Sequence, residues 1–136
     1  MTQHPERRIL IAASAPLEAS ALAEAMRTTG RTVELYDDPV EAMRALCRRP
    51  RAWAGLAVGD RVGRASGLSV GGLARDAGFA HPALLLSADP RPTIAIRASL
   101  LRLAVLWLPL DGDLLERTAS RLWPRTCTPA CPARDG

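Results

Sequence analysis

Few residue types in this 136-residue chain can do chemistry. All 18 basic residues are Arg, beside two His, three Cys, no Lys and no Asn. Without Lys there is no Walker-type phosphate loop and no Schiff-base enzyme, because both need an amine. One Tyr, one Phe and three Trp are too few for an aromatic platform that stacks single-stranded nucleic acid. The thiols suggest no metal centre. Cys47 stands alone in a helical pattern and is expected in the core. Cys127 and Cys131 are spaced C-x-x-x-C in a Pro-rich tail, and the only histidines, His4 and His81, do not complete a zinc set. The loop GDRVGRASG (59–67) offers backbone amides with Arg61 and Arg64 to a phosphate, but lacks the spacing of a known phosphate loop and reads as a plain connection. The pairs Arg44/Arg48 and Arg121/Arg125 put two guanidinium groups on one helix face, a possible grip on a cyclic dinucleotide. With 18 arginines such spacing is expected by chance, and a solvated face is the simpler reading.

The elements that must position these groups alternate regularly. Apolar runs at 8–13 (RILIAA), 53–58 (WAGLAV) and 83–87 (ALLLS) read as strands buried on both faces. Segments 31–36 (RTVELY) and 105–108 complete a set of five. Between them, helical spacing predicts a first helix opened by Ser14-Ala15-Pro16 and stopped by Gly30. A second starts at Asp38-Pro39-Val40-Glu41 with a capping-box pattern, an apolar stripe of Val40, Met43, Leu46 and Cys47, and a stop at Pro50. A weak third helix covers 68–77, a fourth 92–102, and a last follows Asp111 or Asp113. Residues 124–136 carry three prolines and are expected to be disordered.

Hydrophobic residues make up 48% and charged residues 24%, with a net charge of +4, as in one globular domain with an Arg-studded surface. A chain of this size buries roughly two-thirds of its unfolded surface, so its core needs no metal or disulfide. The most apolar run, 100–110, is too short to cross a bilayer. No membrane contact is expected, nucleic acid is not the expected partner, and a cytoplasmic location follows from the missing signal peptide. The βα alternation predicts an α/β fold, a flavodoxin-like doubly wound sheet of five parallel strands, (βα)5. Ligands in such folds lie at the carboxyl ends of strands, here Ala13-Ser14, Tyr36-Asp37, Gly59-Asp60, Ser87-Ala88 and Leu108-Pro109.

With those tips in place, residues 7–123 resemble the receiver domain of two-component response regulators, the CheY-like family. RRILIAASAPLEASALAEAM resembles the family's first strand and helix, LLLSA its fourth strand, and LWLPLDGDLLERTASRL its fifth strand, following Pro and last helix. A working receiver takes a phosphoryl group from a histidine kinase onto its own Asp. The resemblance implies two Mg²⁺-binding carboxylates at the first tip, an Asp nucleophile at the third, a hydroxyl at the fourth and a Lys at the fifth. Carried over, the acid pair falls on Ala13 and Ser14, the hydroxyl on Ser87, the Lys on Leu108 and the switch aromatic on Val105. The family's Gly eight residues after the nucleophile matches Gly67, which puts Gly59 at the nucleophile. A one-residue deletion in the loop would put Asp60 there instead.

The implied protein is a degenerate pseudo-receiver. It is neither an enzyme nor cofactor-dependent, and it signals by phosphorylation-independent contact with a protein partner, a histidine kinase or regulator. The surplus of apolar residues from Ile94 to Trp107 predicts an interaction surface, most of all at Ile96, Leu100 and Trp107, facing a partner or a homodimer mate. The alternatives are a ligand sensor that holds a cyclic dinucleotide through Arg at the strand-tip cleft, and residual phosphorylation at Asp60.

Overall fold

The computed structural model describes residues 8–14, 16–28 and 30–124. Five short apolar segments form one parallel sheet in the order β2-β1-β3-β6-β7: Thr32–Tyr36, Arg8–Ala12, Trp53–Val58, Ala83–Ser87 and Leu103–Trp107. The order reverses direction after β1, as a doubly wound sheet requires. Helices α1 (Pro16–Thr28) and α5 (Gly112–Leu122) cover one face, and α2 (Pro39–Arg48), α3 (Gly67–Asp76) and α4 (Pro92–Leu100) the other.

Strand side chains alternate between faces, and the two cores follow that alternation. Leu10, Leu56, Val58, Leu85 and Leu103 meet Leu46, Leu68, Val70 and Ile94 on the three-helix side. Ile9, Ile11, Ala57, Leu84, Leu86 and Leu106 meet Leu22, Met26, Leu115 and Trp123 on the other. Helix starts are fixed by local caps. The Asp38 carboxylate accepts the Glu41 N–H at 2.9 Å, and Asp111 accepts from Asp113 and Leu114. The Glu41 side chain does not return to the cap; it pairs with Arg44 at 3.1 Å.

Four expectations need correction. Cys47 is exposed, as is Val40; the buried face of α2 is carried by Ala42 and Leu46, with Met43 packed beside them. The predicted connection at 59–67 contains a two-stranded hairpin, β4 (Arg61–Val62) and β5 (Ala65–Ser66), turning at Gly63 with φ +60°. The fourth helix stops at Leu100, because Arg102 takes a left-handed conformation with φ 57°. Its strand partner therefore starts at Leu103 and ends at Trp107, two residues earlier than the predicted start. The third helix forms as expected despite Gly71-Gly72, because burial of Leu68, Val70 and Ala74 outweighs the propensity cost, about 1 kcal/mol for each Gly. Cys127, Cys131, Arg125 and His4 lie outside the described residues.

Three side chains close the amino-terminal end of the sheet. The Trp123 indole lies where a Cβ on Gly55 would sit, 1.9 Å from its Nε1, and Nε1 donates to the Pro82 carbonyl at 3.0 Å. Arg31 donates to the Trp123 carbonyl, at 2.9 Å from Nε. Arg75 donates to the carbonyls of Phe79, His81, Leu101 and Arg102, gathering the turns that lead into β6 and β7. Burial, and then the nearby Arg102 charge, pulls the Arg75 guanidinium below its ordinary pKa.

Candidate functional site

The carboxyl ends of β1, β3 and β6 surround a half-open pocket of about 400 Å³. Backbone bonds set its walls. The Gly59 N–H donates to the Ala12 carbonyl at 2.9 Å, which carries the β1–β3 pairing one residue past the strands. Leu108 N–H donates to the Ser87 carbonyl at 2.9 Å and so extends the β6–β7 pairing. Ala13, Gly59, Leu86, Ala88 and Leu108 give the pocket an apolar lining, and Ser14, Asp60 and Arg61 its polar groups.

Each of these polar groups is hydrogen-bonded. Ser14 is tied to the hairpin twice: its N–H donates to the Arg61 carbonyl at 2.8 Å, and its hydroxyl oxygen accepts the Gly63 N–H at 2.6 Å. The Asp60 carboxylate crosses to the β6 tip and accepts the Ala88 N–H at 2.8 Å, while its carbonyl accepts from Gly67 at 2.9 Å. Arg61 directs a guanidinium N–H to the Arg64 carbonyl at 3.4 Å. Ser87 is fully buried and does not line the pocket; its hydroxyl oxygen accepts the Asp89 N–H at 3.0 Å. Asp89 in turn holds Arg91, whose side-chain hydrogen bonds draw the Asp89 carboxyl below its ordinary pKa.

Small residues are obligatory around Gly59. A Cβ there would stand 2.9 Å from the Ala13 Cβ. A Cβ on Gly67 would stand 1.7 Å from the Gly59 carbonyl oxygen, so α3 can begin there only with glycine. The spacing that linked Gly59 to Gly67 in the sequence thus has a steric counterpart. Sequence reasoning brought Ala13, Ser14, Gly59, Asp60 and Leu108 together correctly as neighbours. It missed Leu86, and it had Ala88 only as a strand tip and Arg61 only as a group of the 59–67 loop. Strand alternation puts Leu86 on the face of α1 and α5, but no spacing signals that Asp60 bonds to Ala88.

The residues present do not fit the Mg²⁺ that the resemblance to receiver domains implies. Mg²⁺ is held by oxygen ligands, usually with carboxylates to balance its charge. Asp60 is the one carboxylate on the lining, and among the described residues no three His, Cys, Asp or Glu side chains converge to hold a metal.

A second exposed feature lies at the β7 edge. Ile96 and Leu100, one helical turn apart on α4, are 58% and 79% exposed, and Trp107 at the end of β7 is 43% exposed. Ile94, Leu103 and Leu106 are buried, so the apolar surplus divides into a core set and a surface set.

A doubly wound five-stranded parallel sheet with its pocket at the strand tips defines the flavodoxin-like class of α/β folds. The chain has the CheY-like receiver fold. The non-phosphorylated HemR receiver domain from Leptospira biflexa is similar with a TM-score of 0.78 and 19% identity, over 90% of this chain and 98% of that one. A two-component response regulator from Clostridium difficile gives 0.76 and 14%, over 88% and 97%. A response regulator receiver protein from Pseudomonas putida gives 0.72 and 20%, over 87% and 99%. No family model and no curated protein sequence matches the chain. Among the described residues no helix is long and apolar enough to cross a membrane.

Proposed function

We propose that this chain is a pseudo-receiver, a signalling module of a two-component-like pathway that acts by phosphorylation-independent protein contact rather than as an enzyme. The observation that supports this most is the pocket lining. Where phosphoryl transfer needs metal-binding acids and a cation, the tips carry Ala13, Ser14 and Leu108. Phosphoryl transfer draws its rate from positioning and charge neutralisation, and a lone carboxylate supplies little of either. Asp60 also spends an acceptor on the Ala88 N–H, and Gly59 has no room for a side chain beside Ala13.

The contact surface in this reading is the α4–β7 edge, with Ile96, Leu100 and Trp107 as anchors for a kinase, a regulator or a second copy. Burying one such side chain contributes roughly 1.5–3 kcal/mol, so three can decide association. Leu100→Glu tests it, because the exposed site admits a carboxylate without harm to the core. The expected result is an unchanged circular dichroism melt, with a lower mass in sedimentation or lost binding to a partner, the same with and without Mg²⁺ and acetyl phosphate. A wild-type protein that stays monomeric and binds nothing, or association that requires acetyl phosphate, would reject the reading.

A further inference from the structure

The strand-tip pocket combines two properties that an anion site does not share. Its walls are mainly apolar, with Leu86 and Leu108 as the large side chains, and its volume of about 400 Å³ lies within the range of small-molecule sites. Its one carboxylate, Asp60, has no ion-pair partner among the described residues; it accepts a hydrogen bond from the neutral Ala88 N–H. An ionised carboxylate on an apolar wall is stabilised by a cation that brings its own apolar body, since the pair then loses less to desolvation.

Charge around the opening points the same way. Asp37, Asp38, Asp89, Asp111 and Asp113 all lie in the loops and helix starts at this end of the sheet. Against these five carboxylates and Asp60 stand three arginines of the same loops: Arg91, held by Asp89, Arg61 on the pocket lining, which keeps its charge while it donates to the Arg64 carbonyl, and the exposed Arg64. Helix amino termini at the same end favour anions, and the Asp38 and Asp111 carboxylates already cap two of them.

We propose that this pocket is a receptor for a small cationic amphiphile, an apolar body with one protonated nitrogen, seated against Leu86 and Leu108 with its nitrogen on the Asp60 carboxylate. The proposal rests on the pseudo-receiver reading, in that Asp60 must be free of a phosphoryl group. Ligand binding here would act on β3, β6 and the hairpin, the elements that Asp60 and Ser14 join.

The test is a titration of the ¹⁵N-labelled full chain with benzylamine, benzyl alcohol and benzoate, followed by two-dimensional NMR. Benzylamine is expected to shift the amides of Ala13, Gly59, Asp60, Ala88 and Leu108, with a dissociation constant of about 1 mM for so small a ligand. Asp60→Asn keeps an acceptor for Ala88 but removes the charge, and should weaken benzylamine at least about tenfold. Leu108→Lys, at a half-buried rim position, should abolish binding and decides the matter if Asp60→Asn does not fold. Benzyl alcohol or benzoate binding as tightly as benzylamine, no shift at those amides, or unaltered binding in both variants would overturn the proposal. A parallel sample with Mg²⁺ and acetyl phosphate, read by intact mass, separates the two ideas. A phosphoryl gain rejects the pseudo-receiver reading, whereas a silent titration without that gain rejects the ligand proposal alone.

Discussion

The two ends of the sheet spend their polar groups differently. At the amino-terminal end, Trp123, Arg31 and Arg75 donate to backbone carbonyls in the loops before β6 and β7 and at the end of α5, and the Trp123 indole fills the space over Gly55. At the carboxyl end, Ser14 and Asp60 accept backbone N–H groups around a pocket that stays open. The first arrangement closes the domain; the second keeps a surface available. Changes at the closed end should therefore unfold the chain, and changes to the polar side chains of the open pocket should alter its contacts at little cost in stability.

Trp123→Ala presses hardest on that contrast. It removes a buried aromatic and leaves Pro82 without its donor, at a cost of about 3–5 kcal/mol. Domains of this kind have about 5–15 kcal/mol in total, so urea titration should show a variant near its unfolding limit. Arg75→Met comes next, at about 2–3 kcal/mol, because several carbonyls lose a charged donor together. Arg75→Lys should recover only part, since an ammonium lacks the planar fork that reaches both turns.

At the open end the effects shrink. Gly59→Ala meets the Ala13 Cβ and should cost about 1–3 kcal/mol by overpacking. Ala13→Gly in the same chain should return most of it, a coupling that a double-mutant cycle reads directly. Asp60→Asn should change the denaturation midpoint by less than about 0.5 kcal/mol equivalent. A loss as large as that of Arg75→Met would show that the pocket also closes the fold, and would erase the contrast between the ends.

The smallest effect concerns Tyr36, whose hydroxyl donates to Glu34 Oε1 at 2.8 Å while Arg8 pairs with the other oxygen. That hydrogen bond, then partial burial, raises the Tyr36 pKa above its ordinary value of 10.0. A raised folded pKa stabilises the domain fully below the unfolded value and is lost as pH rises through the folded one. Ultraviolet titration should therefore find Tyr36 ionising late, and Glu34→Gln should bring it back toward the ordinary value.

The strands were legible because burial on both faces leaves short apolar runs that few other structures produce. Trp53–Val58 and Ala83–Ser87 match their predicted bounds. Legibility failed where single residues decide. Arg102 in a left-handed conformation moves the start of β7, and a two-residue hairpin has no room for a periodic signal. Cys47 was misplaced because α2 buries a narrower stripe than its apolar content suggests. For the pocket, strand tips and spacing brought its backbone neighbours together. The Asp60–Ala88 bond, the exclusion of Ser87, and the roles of Trp123 and Arg75 depend on side-chain directions across distant segments, which no local pattern encodes.

The pseudo-receiver reading stands most directly on intact-mass spectrometry of the full chain after incubation with Mg²⁺ and acetyl phosphate. A pocket with Ala13, Ser14 and Leu108 at its tips should leave the mass unchanged. An Mg²⁺-dependent gain of one phosphoryl group, abolished by Asp60→Asn, would contradict it.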